Sequence, residues 1–164
     1  MNRGRFTLTA LGVLLCFTMD AAAAEDPEVE RIAAVLDDMH AAASEADGER
    51  YFSHFSETSI FLGTDGDERW TKTAFQGFAD PYFSQGKGWT YRVVERHITR
   101  EGAIAWFDEV LDNDSYGECR GTGVLRQHED GWKIEQYNLT IPIPNDLAKE
   151  VVGMIRAAES SDDE

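Results

Sequence analysis

From Val29 onward, apolar residues recur three or four apart: Val29, Ile32, Leu36, Met39 and Ala43. That spacing places them on one face of an amphipathic helix. Asp26-Pro27-Glu28 starts it, with an acidic N-cap, proline at the first helical position and acid near the positive dipole end. Asp47-Gly48 stops it. A short second helix is expected around Glu49 to Phe55, carrying Tyr51, Phe52 and Phe55. Ser59-Ile60-Phe61-Leu62 then reads as a strand, closed by the turn Thr64-Asp65-Gly66-Asp67. A third helical stretch, Thr71 to Phe83, bears Phe75, Phe78, Tyr82 and Phe83. Pro81 is expected to bend or break it.

The pattern then changes period. Trp89 to Thr99, Ala103 to Asp112, Glu118 to His128 and Trp132 to Ile141 are strand-like. Their connections, Arg100-Glu101-Gly102, Asn113 to Gly117 and Glu129-Asp130-Gly131, are short and rich in turn formers, so sequential antiparallel hairpins are predicted. Pro142 and Pro144 end the last strand. Asn145 or Asp146 caps a final helix through Ala158, with Leu147, Val151, Met154 and Ile155 on one face. Helices first and a meander afterwards predict an α+β domain, its helices on one face of a curved antiparallel sheet, with a C-terminal helix.

The chain has 164 residues, enough for one domain. Residues 1–24 read as something else: basic Arg3 and Arg5, an apolar run from Leu8 to Met19, then four alanines. That order is a secretory signal peptide, with an apolar run too short for a membrane span. It implies a periplasmic or secreted protein with no membrane contact after cleavage. Residues 25–159 form the domain and the acidic residues 160–164 a disordered tail. Loss of the signal leaves Cys119 alone, so the mature chain holds no internal disulfide. The formal net charge of −16 argues against nucleic acid as a partner, since no basic stripe is present.

Phe61-Leu62-Gly63-Thr64-Asp65 with Glu68 and Trp70, Ala105-Trp106-Phe107-Asp108-Glu109, and Arg120 to Leu125 followed by Asp130-Gly131-Trp132-Lys133-Ile134 stand in an order that resembles the SnoaL-like (nuclear transport factor two-like) superfamily. The resemblance implies a cone-shaped fold with a pocket between sheet and helices, often dimeric through the sheet. It does not imply one function, because this fold carries several chemistries. Ketosteroid isomerases of the superfamily use a carboxylate base. The matching first-strand region here reads Phe61-Leu62-Gly63 and has none. Where some relatives end the last strand with histidines, this chain has Gln136 and Asn138.

Strand alternation supplies a candidate site. Trp132 and Ile134 face inward against Lys133 and Glu135, which carries Gln136 and Asn138 inward by alternation and leaves Tyr137 and Leu139 on the outer face. A three-residue loop pairs His128 with Trp132, so Thr122 and Arg120 share the inner face. A symmetric hairpin about Asp112 to Gly117 sets Glu109 opposite Arg120. The expected lining is Phe107, Glu109, Arg120, Thr122, Gln136 and Asn138. A one-residue slip would substitute Asp108 and Gly121 for Glu109 and Arg120. Trp70 and Tyr82 are placed at the pocket mouth.

Two readings of this cluster stand side by side. In one, Arg120 and the amides hold a small polar or carboxylate-bearing molecule, with Glu109 or Asp108 as a base for lyase, isomerase or hydrolase chemistry. In the other, Glu109 and Arg120 form a structural ion pair, which would depress the glutamate's basicity. A third possibility is a dimeric module without catalysis, assembled through Tyr137 and Leu139 on the outer face. His40, His54, His97 and His128 show no metal-ligand spacing, and each is read as a surface or packing residue. No cofactor is expected.

Overall fold

A computed structural model describes residues 26–162. The expected signal segment lies outside the described residues. The elements are α1 (Pro27–Ser44), α2 (Gly48–Ser53), β1 (Phe55–Leu62), β2 (Arg69–Thr71), α3 (Lys72–Phe83), β3 (Arg92–Glu101), β4 (Ile104–Asn113), β5 (Gly117–His128), β6 (Gly131–Thr140) and α4 (Ala148–Asp162). The helix starts follow local chemistry. Asp26 Oδ1 accepts from the Glu28 amide at 3.0 Å, with Pro27 in the first turn of α1. Thr71 caps α3 through the Ala74 amide. Pro81 sits in the last turn of α3 and does not break it.

The strands form one curved, open, six-stranded sheet in the order β2-β1-β6-β5-β4-β3. The sheet is mixed, because β1 runs parallel to β6 while every other neighbouring pair is antiparallel. This departs from the all-antiparallel expectation. β1 enters from the helices and docks on the last strand, with the rest of the meander between them in sequence. The short strand β2, pairing Trp70 with Phe61, has no counterpart in the sequence reading.

Helices α1, α2 and α3 cover one face. The stripe of α1 (Ile32, Leu36, Met39, Ala43) is buried against inward residues Ala105, Phe107, Leu111, Leu125, Ile134 and Tyr137. Each large apolar side chain so buried contributes about 1.5–3 kcal/mol relative to exposure. Tyr51 and Phe52 of α2 enter an aromatic cluster with Phe55, Phe75, Phe83 and Trp89. Among the described residues, helix α4 packs far less against the rest of the domain than α1, α2 or α3. It continues to Asp162, into the stretch expected to be a disordered tail.

Candidate functional site

Along β4 the inward side chains are Ala105, Phe107, Glu109 and Leu111. Glu109 is the charged member of this row and only 1% exposed. Its partner across β5 is Gly121, and across β3 Arg96. A Cβ at Gly121 would collide with the Tyr137 hydroxyl and the Glu109 carboxylate, so the missing side chain makes room for both. The Tyr137 hydroxyl donates to Glu109 Oε1 at 2.7 Å, and His40 Nε2 on α1 lies 2.9 Å from the same oxygen. Arg96 Nε donates to Oε2 at 2.8 Å, and Arg96 Nη1 reaches Asp37 Oδ1 at 2.7 Å. One helix and three strands therefore converge on a single carboxylate.

Burial opposes the charge on Glu109, but the contacts with His40, Arg96 and Tyr137 outweigh it and hold the carboxyl below its ordinary range. An ionised carboxylate only accepts hydrogen bonds, so His40 Nε2 carries the proton in that contact. The other ring nitrogen, Nδ1, has no hydrogen-bond partner among the described residues. Burial, together with the neighbouring carboxylate, pushes Tyr137 far above the usual phenol range and keeps it a donor. Burial pulls Arg96 down, yet Glu109 and Asp37 keep its guanidinium above its ordinary value.

Beside this cluster lies a cavity of about 20 Å³ lined by Met39, His40, Tyr51, Phe61, Trp89, Tyr91, Tyr137 and Leu139. That is room for about one water molecule. Phe61, Trp89, Tyr91 and Leu139 also line an outer pocket of about 260 Å³, with Gly63, Glu68, Phe75, Phe78 and Tyr116. The two share these four residues as walls, and His40 lines the inner one.

The structure brings together only part of the expected lining. Glu109 and Phe107 point inward as predicted. Phe107 supports the Tyr137 ring from 5.7 Å without lining the cavity. Arg120 is exposed and pairs with Val110, because the β4–β5 hairpin turns about Ser115 with Asn113 opposite Gly117. The register is shifted by one residue from the expected one, which keeps Glu109 inward but sets it opposite Gly121 and removes the expected Glu109–Arg120 pair. Thr122 stands in a row with Asp108 and Asn138 on the outer face, and Gln136 is exposed there. The cause is a bulge at Glu135. Leu125 pairs with Ile134, but Val124 pairs with Gln136, so the alternation inverts after Ile134. The two amides therefore leave the interior, and Tyr137 and Leu139 enter it. Their burial removes the basis for assembly through those two residues. The β5–β6 turn is also one residue shorter than expected, with His128 opposite Gly131.

Trp70 packs edge-on against Phe75 and Phe78 behind the outer pocket. Tyr82 is 47% exposed, touches Phe78 and lines neither cavity. Asp108 is exposed and Glu109 is paired, so neither is the lone desolvated carboxylate that the base reading requires. The sequence reading missed His40, Tyr137, Arg96, Tyr51 and Tyr91. Two signals pointed to the first pair. His40 is four residues after Leu36, on the edge of the buried stripe. The apolar alternation Trp132, Ile134 resumes out of phase at Tyr137, Leu139, which is the signature of a bulge.

Residues 32–144 match the family model described as a SnoaL-like domain. Similar solved structures include an NTF2-like family protein from Streptomyces avermitilis, provisionally assigned as a dehydratase, with a TM-score of 0.63 at 12% identity over 72% of this chain and 98% of that one. A protein from Novosphingobium aromaticivorans, provisionally assigned as an aromatic ring hydroxylase, gives 0.62 at 18% over 72% and 91%. A cystatin-like fold protein from Burkholderia xenovorans gives 0.62 at 18% over 73% and 96%. Identities this low establish a shared fold and no more. No curated protein matches the chain.

Proposed function

We propose, from the premise that the chain belongs to the SnoaL-like domain family, that it binds a small, mainly apolar molecule in the aromatic funnel, with His40 as the polar contact at its inner end. The observation that carries this reading is that the inner cavity and the outer pocket share Phe61, Trp89, Tyr91 and Leu139 as walls, which makes them the two ends of one aromatic funnel. A concave, aromatic lining with few polar groups is the usual character of a small-molecule site. The polar or carboxylate-bearing ligand expected from the sequence loses its basis with Arg120 on the outer face.

Thermal-shift screening checks this. Neutral aromatic fragments should raise the melting temperature, whereas sugars and aliphatic diacids should not. A fragment library in which no neutral aromatic stabilises the protein rejects the reading. The basic, apolar and small-residue order of residues 1–24 supports an exported protein. On this proposal a periplasmic or culture fraction contains a chain beginning near Glu25, and an intact Met1 start on all of the recovered protein would refute it.

A second reading is favoured by the His40–Glu109 contact. A histidine oriented through Nε2 by a buried carboxylate keeps Nδ1 for proton transfer. This puts acid–base capacity on His40 and gives Glu109 the positioning role. Both provisional activities among the neighbours are compatible with such a group and neither selects it. Proton NMR in D₂O of the fragments that bind provides the check. C–H exchange that depends on the protein and disappears in His40→Ala supports this reading, and its absence for every binder rejects it.

A further inference from the structure

We propose that the inner end of the funnel is a subsite for one uncharged oxygen acceptor, a carbonyl group, held by the phenol hydroxyls of Tyr51 and Tyr91. This rests on the small-molecule reading above and specifies the chemistry of the ligand.

Tyr51 is 3% exposed and lines the cavity. Its ring is fixed on several sides: Phe52 lies edge-on at 5.0 Å, Phe83 at 5.8 Å and Trp89 at 5.7 Å. The direction of its hydroxyl is therefore set by packing. Yet that hydroxyl has no hydrogen-bond partner among the described residues. It is also not among the fully occluded polar atoms that lack partners, which are Ser59 Oγ and Arg96 Nη2. The hydroxyl thus opens into the cavity. A buried tyrosine hydroxyl normally finds a partner, because leaving it unmet costs about 1–3 kcal/mol. The cavity is where that partner sits.

The neighbouring groups define what the partner is. Tyr137 spends its hydroxyl on Glu109, and His40 Nε2 contacts the same carboxylate. Tyr91 also lines the cavity without a protein partner for its hydroxyl. Burial raises the pKa of both phenols, Tyr91 to about 12 and Tyr51 beyond it, so both are donors at neutral pH. Two phenols lining a space of about 20 Å³ suit one oxygen atom. An anion is disfavoured. The one buried guanidinium in the cluster, Arg96, is already matched by Glu109 and Asp37, and the Glu109 carboxylate next to the cavity would repel a second negative charge. A neutral carbonyl on an apolar body, with its ring in the outer pocket, meets the two phenol donors and needs no free cation.

The experiment compares acetophenone with ethylbenzene, which has the same shape without the oxygen, and with benzoate. Binding to the mature protein is measured by calorimetry and the carbonyl stretch by infrared spectroscopy. Acetophenone should bind about tenfold more tightly than ethylbenzene, as expected for one or two net hydrogen bonds. Its carbonyl stretch should move to lower frequency, and benzoate should bind more weakly than acetophenone. Tyr51→Phe should remove most of the preference for acetophenone and leave ethylbenzene affinity unchanged, which also shows that the variant is folded. Tyr91→Phe, at a half-buried position, provides a second variant with the same expected pattern. Equal affinity for the two neutral probes, tighter binding of benzoate, or a preference that survives both variants overturns the subsite while leaving the funnel as an apolar site. If neither neutral probe binds at millimolar concentration, the small-molecule reading and the subsite fall together.

Discussion

Glu109 stays charged in the interior because His40, Arg96 and Tyr137 surround it with donors. Removing one partner of such a buried pair typically costs about 3–5 kcal/mol, since the other charge is left uncompensated. Glu109→Gln should therefore destabilise the fold by about that much in urea unfolding at pH 7. Tyr137→Phe deletes only one hydrogen bond to a charged acceptor and should cost about 1.5–3 kcal/mol. If the two variants unfold at the same urea concentration, the carboxylate is not the organising group of the site. Glu109 itself was recognisable in the sequence, since a glutamate in phase with Ala105, Phe107 and Leu111 must face the interior. Its partners were not recognisable. They arrive from α1, β3 and β6, and strand alternation carries no information about distant elements.

Elements differ in how strongly they are held. Helix α1 is tied at both ends of its buried stripe: to the sheet, where Trp132 Nε1 donates to Glu28 at 2.8 Å, and to the segment before β3, where the Trp89 amide bonds the Ala43 carbonyl. Contacts among the described residues hold α4 to the body far less, and most of its large apolar residues remain in solvent, with Met154 67% and Ile155 50% exposed. Truncation after Asp146 should leave the unfolding free energy of the domain within the ±0.5 kcal/mol typical of surface changes, as read by urea unfolding followed by circular dichroism. A large loss of stability would mean that α4 docks on the body of the protein. The bulge at Glu135 shows how much one residue decides. The Glu135 side chain itself accepts hydrogen bonds from Ser56 and lies 2.9 Å from His128. Beyond it, every side chain of β6 changes face. Thr122 does share a face with Gln136 and Asn138, as expected, and pairs with Asn138, but that face is the outer one.

For the whole molecule, pH integrates these local terms. Burial, working against Asp38, holds His54 below its ordinary 6.5, so the folded protein resists a proton that the unfolded chain accepts. The associated stability is complete above about pH 6.5 and declines as pH falls toward the folded value. Glu109 is likewise held below its ordinary 4.5, and its contribution is lost as pH falls from there. The melting temperature should therefore be flat between pH 7 and 8, decline gently below pH 6.5 and steeply below pH 4.5. His54→Gln should remove the first decline alone, and a melting temperature that rises on acidification would contradict both assignments. The sequence by itself determined the α+β class, the order of the helices and of every strand but β2, the family resemblance and the inward placement of Phe107 and Glu109. Each of these depends on local periodicity, capping and turn chemistry, which act within a few residues. Only the tertiary structure decided the parallel docking of β1 on β6, the β4–β5 register and the phase change at Glu135. It also decided the meeting of His40, Tyr51 and Tyr91 around one cavity, because those outcomes are set by which distant surfaces pack together.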